Sequence, residues 1–340
     1  MNKFDLQIKE KKNLVLSYKV FYRIENTIEI HNLDIDTNGL YFLDGHDLRK
    51  FFIKNILEKE GVQSIKLLKH ERYGFCLLCS EFKLLKRSHV IGATVFRKLL
   101  RATSSNSAIS FSIKKNEIKL CNDNWTEYLL CDSCEGVFNT KYENYAINLL
   151  RGKLDSVTTE KKDDHIKLNN INSRKVALYI LSLYWRGALS IAPAYNQLLI
   201  TNGFYEYLKK CFLGVCELNF NIFKFKISKL IDETNQTSDD KLEYMIINPF
   251  VKLINDVTVY SFVFEGFLLE LIIDGKNKIK AENYLGFISD NFSYLKIPYV
   301  EFTSIPEIYE VLSKSVNLAR NDEKIYLRCI QELANYENNL

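Results

Sequence analysis

Two runs near the start of the chain, residues 13–22 (NLVLSYKVFY) and 25–30 (ENTIEI), partly alternate apolar and polar positions and are rich in β-branched and aromatic side chains. A period of two with those residue types predicts paired strands. Over residues 47–60 the period changes. Leu48, Phe51, Phe52 and Ile56 recur at the i, i+3, i+4, i+8 spacing of one helix face, with Asp44 or Asp47 placed to cap it. Helical spacing returns over residues 135–150, where Phe138, Tyr142, Tyr145 and Leu149 share a face, and in the apolar stretch KVALYILSLYWRGALSIA. Within that stretch Tyr184-Trp185-Arg186 reads as core with a polar edge, and a nucleic-acid stacking platform is the lesser alternative.

Polar, aperiodic segments punctuate the pattern. Residues 152–172 (GKLDSVTTEKKDDHIKLNNIN) read as a linker or long surface loop, and IDETNQTSDD at 231–240 as a second loop. The runs FNIFKFKI, TVYSFVFEGFLLELII and YLKIPYVEF favour strands by their β-branched and aromatic content. The apolar run 261–273 is too short to span a bilayer and holds Glu265 and Glu270, so it reads as buried strands and no membrane segment is expected. The expected class is α+β. It comprises an N-terminal α+β, strand-rich region (1–70), a middle module (71–151) and a C-terminal helix-plus-sheet domain (152–340).

Composition excludes several classes. With 340 residues, 47% apolar and 26% charged, the chain has enough apolar material for substantial cores and too much for disorder. Thirteen glycines never fall into GxGxxG or GxxxxGK[ST], and neither GxSxG nor HExxH occurs. The net charge of +4 is uninformative as a sum. Its distribution is not: residues 61–101 hold nine Lys/Arg against two acids, leaving the remainder slightly acidic. The first residues lack the apolar core and cleavage site of a signal peptide, which predicts a cytoplasmic protein with reduced cysteines. Closely spaced cysteines are then metal ligands before they are disulfides.

Two pairs have the required spacing, Cys76-Leu-Leu-Cys79 and Cys131-Asp-Ser-Cys134. A C-x2-C turn sets two thiolates on one side of a tight knuckle, and two such turns complete a tetrahedral structural Zn²⁺ site. The second pair opens the predicted helix, whose first amides would favour thiolate at Cys134. Cys211, Cys216 and Cys329 lack the spacing and read as small buried side chains. Cys121 lies inside the module and is left open between a spare thiol and a filler.

Between the pairs lies Ser88-His89-Val90-Ile91, directly after Lys86-Arg87. The pieces CLLC, SHVI, NDNW and LLCDSCE resemble the HNH endonuclease family, over about residues 71–151. The resemblance implies a treble-clef/ββα-metal core on a four-cysteine zinc knuckle, and hydrolysis of DNA phosphodiester bonds. It also implies a role in bacterial restriction or anti-phage defence. His89 matches the general base. Glu135 stands where the family has its last metal-binding His, and Ser88 where it has an Asp or His. Asn124 is the candidate for the middle Asn, with Asn122 competing.

Independently of the resemblance, Glu135, Asn139 and Glu143 recur every four positions and would stack along one helix side. Glu135 and Asn139 offer hard oxygen ligands suited to a catalytic Mg²⁺ or Mn²⁺. A solvated polar face is the simpler account of Asn139 and Glu143. His89 alternatively bonds a backbone carbonyl or ligates zinc. The remaining histidines, His31, His46, His70 and His165, read as surface residues. The segment ATVFRKLLRATS predicts an amphipathic helix whose Arg97, Lys98 and Arg101, with Lys83, Lys86 and Arg87, would neutralise DNA phosphates. The substitutions at Ser88 and Glu135 leave a second reading standing, a zinc-stabilised nucleic-acid- or protein-binding module that no longer cleaves. The motif-free C-terminal domain offers a surface for a protein partner or a second copy.

Overall fold

The alternating run near the N-terminus forms a hairpin in which β1 (Val15–Ile24) pairs antiparallel with β2 (Thr27–Asp36). The structure is a computed structural model and describes residues 15–24, 27–36, 72–102, 108–112, 117–121, 125–190, 192–233, 239–254, 257–275, 279 and 285–327. The helix expected over 47–60 lies outside the described residues, as do Asn122 and Asn124.

The next elements are β3 (Arg72–Phe75), β4 (Phe82–His89) and α1 (Ala93–Arg101), followed by the hairpin β5 (Ala108–Ser112) and β6 (Glu117–Cys121). Strand β7 (Thr126–Cys131) joins β3 and β4 in a three-stranded sheet of order β3-β4-β7. It runs straight into α2 (Asp132–Val137), a π-helical turn (Phe138–Glu143) and α3 (Asn144–Leu150). The predicted helix is therefore present but not uniform.

Residues 152–172 are not a featureless linker. They carry β8 (Thr158–Lys161) and β9 (His165–Asn169), an antiparallel pair whose second strand docks on β15 (Tyr294–Glu301). The polar content that reads as loop belongs to the edge of a sheet, where β8 is exposed along its length. Two helices follow, α4 (Ser173–Ala188) and α5 (Asn202–Phe212). The remaining strands are β10 (Phe223–Ile231), β11 (Ile247–Ile254), β12 (Val257–Phe264), β13 (Phe267–Ile273) and β14 (Phe287–Ile288). With β8, β9 and β15 they form one eight-stranded mixed sheet, order β11-β12-β13-β10-β15-β9-β8, and β14 pairs with β10. Helix α6 (Pro306–Asn321) closes the described chain, with Pro306 in its first turn where a missing N–H costs nothing. No described helix is long and apolar enough to cross a membrane.

The described residues form two compact units. One draws on Met1–Ser88, Thr126–Phe138 and Trp185–Glu217, the other on His89–Trp125, Asn139–Tyr184 and Leu218–Leu340. In the second unit the sheet is covered on both faces, which explains why β12 and β13 read as unbroken apolar runs. Tyr260 meets Tyr184 of α4 at 4.6 Å between ring centroids, and Phe264 meets Tyr179 at 6.5 Å. On the opposite face Val263 and Leu268, paired across the strands, pack with Leu230, Ile247, Ile305 and Ile308, and with Val311 and Leu312 of α6.

Candidate metal centre

The three-stranded sheet of the first unit exists to bring two short turns together. Strand β3 ends at Phe75, Cys76 follows it, and the chain reverses through Leu77–Cys79 to re-enter as β4. Cys76 N–H donates to Glu81 O at 3.0 Å and Ser80 N–H to Cys76 O at 2.8 Å. Ser80 takes a left-handed conformation, φ 60°, to complete the reversal. Leu77 N–H donates to Leu129 O at 3.0 Å, fastening this knuckle to β7. At the end of β7, Cys131 caps α2 with extended backbone (φ −74°, ψ 167°), and Cys134 lies in the first helical turn.

The four sulfurs lie within 4.8 Å of one another. Cys79 Sγ and Cys131 Sγ are 3.9 Å apart. Zn–S bonds of about 2.3 Å put the corners of a tetrahedron about 3.8 Å apart, so the cluster has the size of a closed metal site. Cys76, Cys131 and Cys134 are buried and Cys79 is half-buried. Among the described residues this is the single group of three or more His, Cys, Asp or Glu side chains whose ligand atoms close on a common point. The cluster could hold a metal ion such as zinc.

Crowding makes the thiols perturb one another. The hydrogen bond from Cys134 holds the Cys76 thiol down at about 4, against the opposing effect of burial. The same bond, with burial, pushes the Cys134 thiol far up. Burial raises Cys79.

Spacing gave no warning of what supports the knuckle. Tyr205 of α5 donates its hydroxyl to Leu77 O at 2.7 Å, and burial raises that phenol so that it stays a donor. Lys209 Nζ donates to Ser80 Oγ at 2.5 Å. Behind them Trp185 stacks on Tyr205 at 5.7 Å, and Phe138 contacts Trp185 at 6.0 Å and Phe212 at 4.9 Å. The Arg186 guanidinium lies over the Phe138 ring at 5.3 Å, which lets a fully buried cation face an electron-rich surface. Trp185, read from sequence as core, is fully buried, and with Tyr205, Phe138 and Phe212 it backs this centre.

The other predicted site residues are distributed as follows. Ser88 is fully buried, and its hydroxyl finds no hydrogen-bond partner among the described residues. His89 ends β4 and belongs to the second unit, where its ring lies 6.4 Å from Phe96, which in turn meets Trp125 edge-on at 5.3 Å. Asn139 is half-buried in the π turn and also belongs to the second unit. Glu135 belongs to the first, in the first turn of α2, and its Oε2 is buried with no hydrogen-bond partner among the described residues. Glu143 is buried, not solvated, with its carboxylate packed against Gly92.

The basic residues divide. On β4 the exposed Lys83 pairs with Glu81, Lys86 with Asp132 at 3.3 Å, and Arg87 donates to Thr126 Oγ1 at 3.1 and 2.7 Å. On α1, Arg97 and Arg101 are exposed, whereas Lys98 is held by Glu243 at 2.7 Å and Glu265 at 3.1 Å. Lys98 is thus committed to carboxylates. His165 hydrogen-bonds Asp164 at 2.6 Å. Cys211 and Cys216 lie 3.1 Å apart, sulfur to sulfur. No family model matches the chain, and no curated protein and no solved structure is similar to it.

Proposed function

We propose that the chain is a metal-dependent, HNH-like endonuclease that hydrolyses DNA phosphodiester bonds on a scaffold pinned by one structural zinc ion. The reading extends to restriction or anti-phage defence in a bacterial cytoplasm. The observation that carries it is the closure of Cys76, Cys79, Cys131 and Cys134 into one cluster from which both motif-bearing elements spring. Strand β4 leaves the first knuckle and ends on Ser88-His89, and α2 starts at the second and carries Glu135. Knuckle, hairpin and helix in this order are the parts of a treble clef.

Cys76, Cys79, Cys131 and Cys134 would hold a zinc ion as a cross-link, and a four-thiolate donor set would give it a structural and not a catalytic part. In the proposed reaction His89 takes a proton from a water molecule as its oxygen attacks phosphorus, the bond to the leaving deoxyribose oxygen breaks, and that oxygen takes a proton from solvent. Glu135 is the best-supported ligand for a catalytic Mg²⁺ or Mn²⁺, because an unpartnered buried carboxylate oxygen is costly unless something polar meets it. Lys86, Arg87, Arg97 and Arg101 are the side chains offered to the phosphate backbone.

One observation favours the second reading, a zinc-stabilised module that binds without cutting. Ser88, in the position of an acidic ligand in the family, is 0% exposed and has a hydroxyl in place of a charge. Plasmid nicking with Mg²⁺ or Mn²⁺ separates the two. Wild type should nick and His89→Ala should lose at least about two orders of magnitude, the usual share of a general base. Retained duplex binding without any nicking would establish the binding module instead.

A further inference from the structure

Helix α1 turns one face, Thr94, Arg97, Lys98 and Arg101, toward a cavity of about 750 Å³ that lies wholly within the second unit. The end of α3 also lines it. There Gly152 takes φ +63° and closes the helix, with Gly152 N–H donating to Leu149 O at 3.0 Å and Lys153 N–H to Asn148 O at 2.8 Å. That reversal brings Arg151 and Lys153, one on each side of the glycine, to the cavity wall. The floor is the tip of the β12–β13 hairpin, where Glu265 is buried and held by Arg151 and Lys98.

The cavity is strongly basic. Five cations line it against two carboxylates, Glu243 and Glu265, an excess of three positive charges. The carboxylates are both engaged with Lys98, and Glu265 also with Arg151. Arg97, Arg101 and Lys153 are exposed and form no ion pair with any described residue. Three unmatched cations around one concavity repel each other in the free protein, a cost that an anionic ligand removes. The size suits a ligand larger than a single phosphate, since pockets for drug-sized molecules run to roughly 300–1,000 Å³. Tyr244, 37% exposed, adds a ring to the wall; Lys98 Nζ lies over it at 5.4 Å from the centroid, and a flat heterocycle can stack on the part of the ring that Lys98 leaves open.

We infer that this cavity binds a nucleotide, with Arg97, Arg101 and Lys153 taking its phosphates and Tyr244 its base. The nucleotide is either free or the 5′-phosphorylated end of a strand. Neither His89 nor the cysteines take part, so the site stands whether or not the chain cuts DNA.

The test is titration calorimetry of the full chain with ATP, with inorganic pyrophosphate, and with short oligo-dT carrying or lacking a 5′-phosphate. Saturable binding of ATP or of the phosphorylated oligonucleotide is expected, weakening as salt rises. Whichever of the two binds more tightly identifies the source. Arg97→Glu, Arg101→Glu and Lys153→Glu are all at exposed positions and should keep the wild-type unfolding midpoint while each lowers affinity about tenfold or more. Tyr244→Ala should weaken ATP and leave pyrophosphate unaffected. Arg97 and Arg101 are shared with the proposed duplex contact, so a Lys86→Glu/Arg87→Glu protein is the discriminating variant: it should weaken duplex binding and keep nucleotide binding, and loss of nicking without loss of nucleotide binding shows failure of the nuclease reading separately. Absence of saturable binding, unchanged affinity in the three charge reversals, or pyrophosphate held as tightly as ATP would overturn the assignment.

Discussion

Arg151 grips Glu265 with two parallel hydrogen bonds, one from Nε to Oε2 at 3.1 Å and a shorter one from Nη2 to Oε1. Lys98 completes the arrangement on Oε2. Glu265 and Gly266 are the two central residues of the hairpin turn, at φ 55° and 70°. That left-handed pair matches strand twist, but a glutamate is an unusual occupant of its first position. The carboxylate accounts for the choice. It reaches back from the turn to two cations of the α1 and α3 region, joining the large sheet to the basic cavity.

Glu265→Ala should therefore destabilise the second unit by about 3 kcal/mol, because it leaves Arg151 and Lys98 partly buried without their shared counter-charge. Glu265→Asn distinguishes backbone from charge. Asparagine fits the turn better but cannot bind Arg151 with two hydrogen bonds from a charged group. Denaturant unfolding should show it less stable than wild type; a gain would mean that turn strain outweighs the ion pair.

The cysteine cluster predicts about one zinc per chain by elemental analysis of the purified protein. Cys131→Ala should lower that content well below one and reduce the unfolding midpoint, as should prolonged exposure of wild type to a strong chelator. A stable Cys131→Ala protein with no change in metal content would remove the structural role.

Acid stability should carry the mark of Glu243. Burial alone would raise its carboxyl, but hydrogen bonds from Lys98 at 2.7 Å and Lys229 at 3.0 Å outweigh it and hold the group below the usual carboxylate range. A depressed value in the folded state stabilises the fold at pH above about 4.3, the unfolded value, and that stabilisation is lost as pH falls through the folded value. The unfolding midpoint of wild type should fall below about pH 4.5, and more steeply than that of Glu243→Gln. Parallel curves would show that the pair contributes nothing, as exposed ion pairs often do.

Gly92 precedes α1, and a methyl group there would come within 2.0 Å of Glu143 Oε1. Gly92→Ala should cost about 1–3 kcal/mol through this overpacking. Adding Glu143→Ala should recover part of the loss, and a double-mutant cycle on thermal or denaturant midpoints measures the coupling. Additive effects would mean that the contact is relieved by a shift of the chain.

The sequence was most legible where spacing alone determines geometry. Cys76, Cys79, Cys131 and Cys134 form the expected cluster because a C-x2-C turn dictates where its thiols point. The strands at 258–273 and the helix at 173–188 were legible from residue type and period. Residues 152–172 misled because β8 is a solvated edge strand, and polar composition is the same whether such a segment is paired or not. Arg151 and Lys153 went unnoticed as site residues because they flank a helix-ending glycine at the start of that segment. Tyr205 could not be found from the motif, since its bond to Leu77 spans 128 positions and no local pattern encodes it. Glu143 looked solvated because nothing in its residue type or spacing announces the Gly92 backbone against which it is buried.

That long-range bond orders events during synthesis. Tyr205 follows Cys134 by 71 residues, which at 5–20 residues per second delays it by about 4–14 s on the ribosome. Both knuckles emerge and can capture an ion while the Leu77 carbonyl still faces water. Metal capture can therefore precede the aromatic buttress, and a nascent chain starved of zinc would then present a loose pair of loops, not a finished socket, to α5 when it arrives.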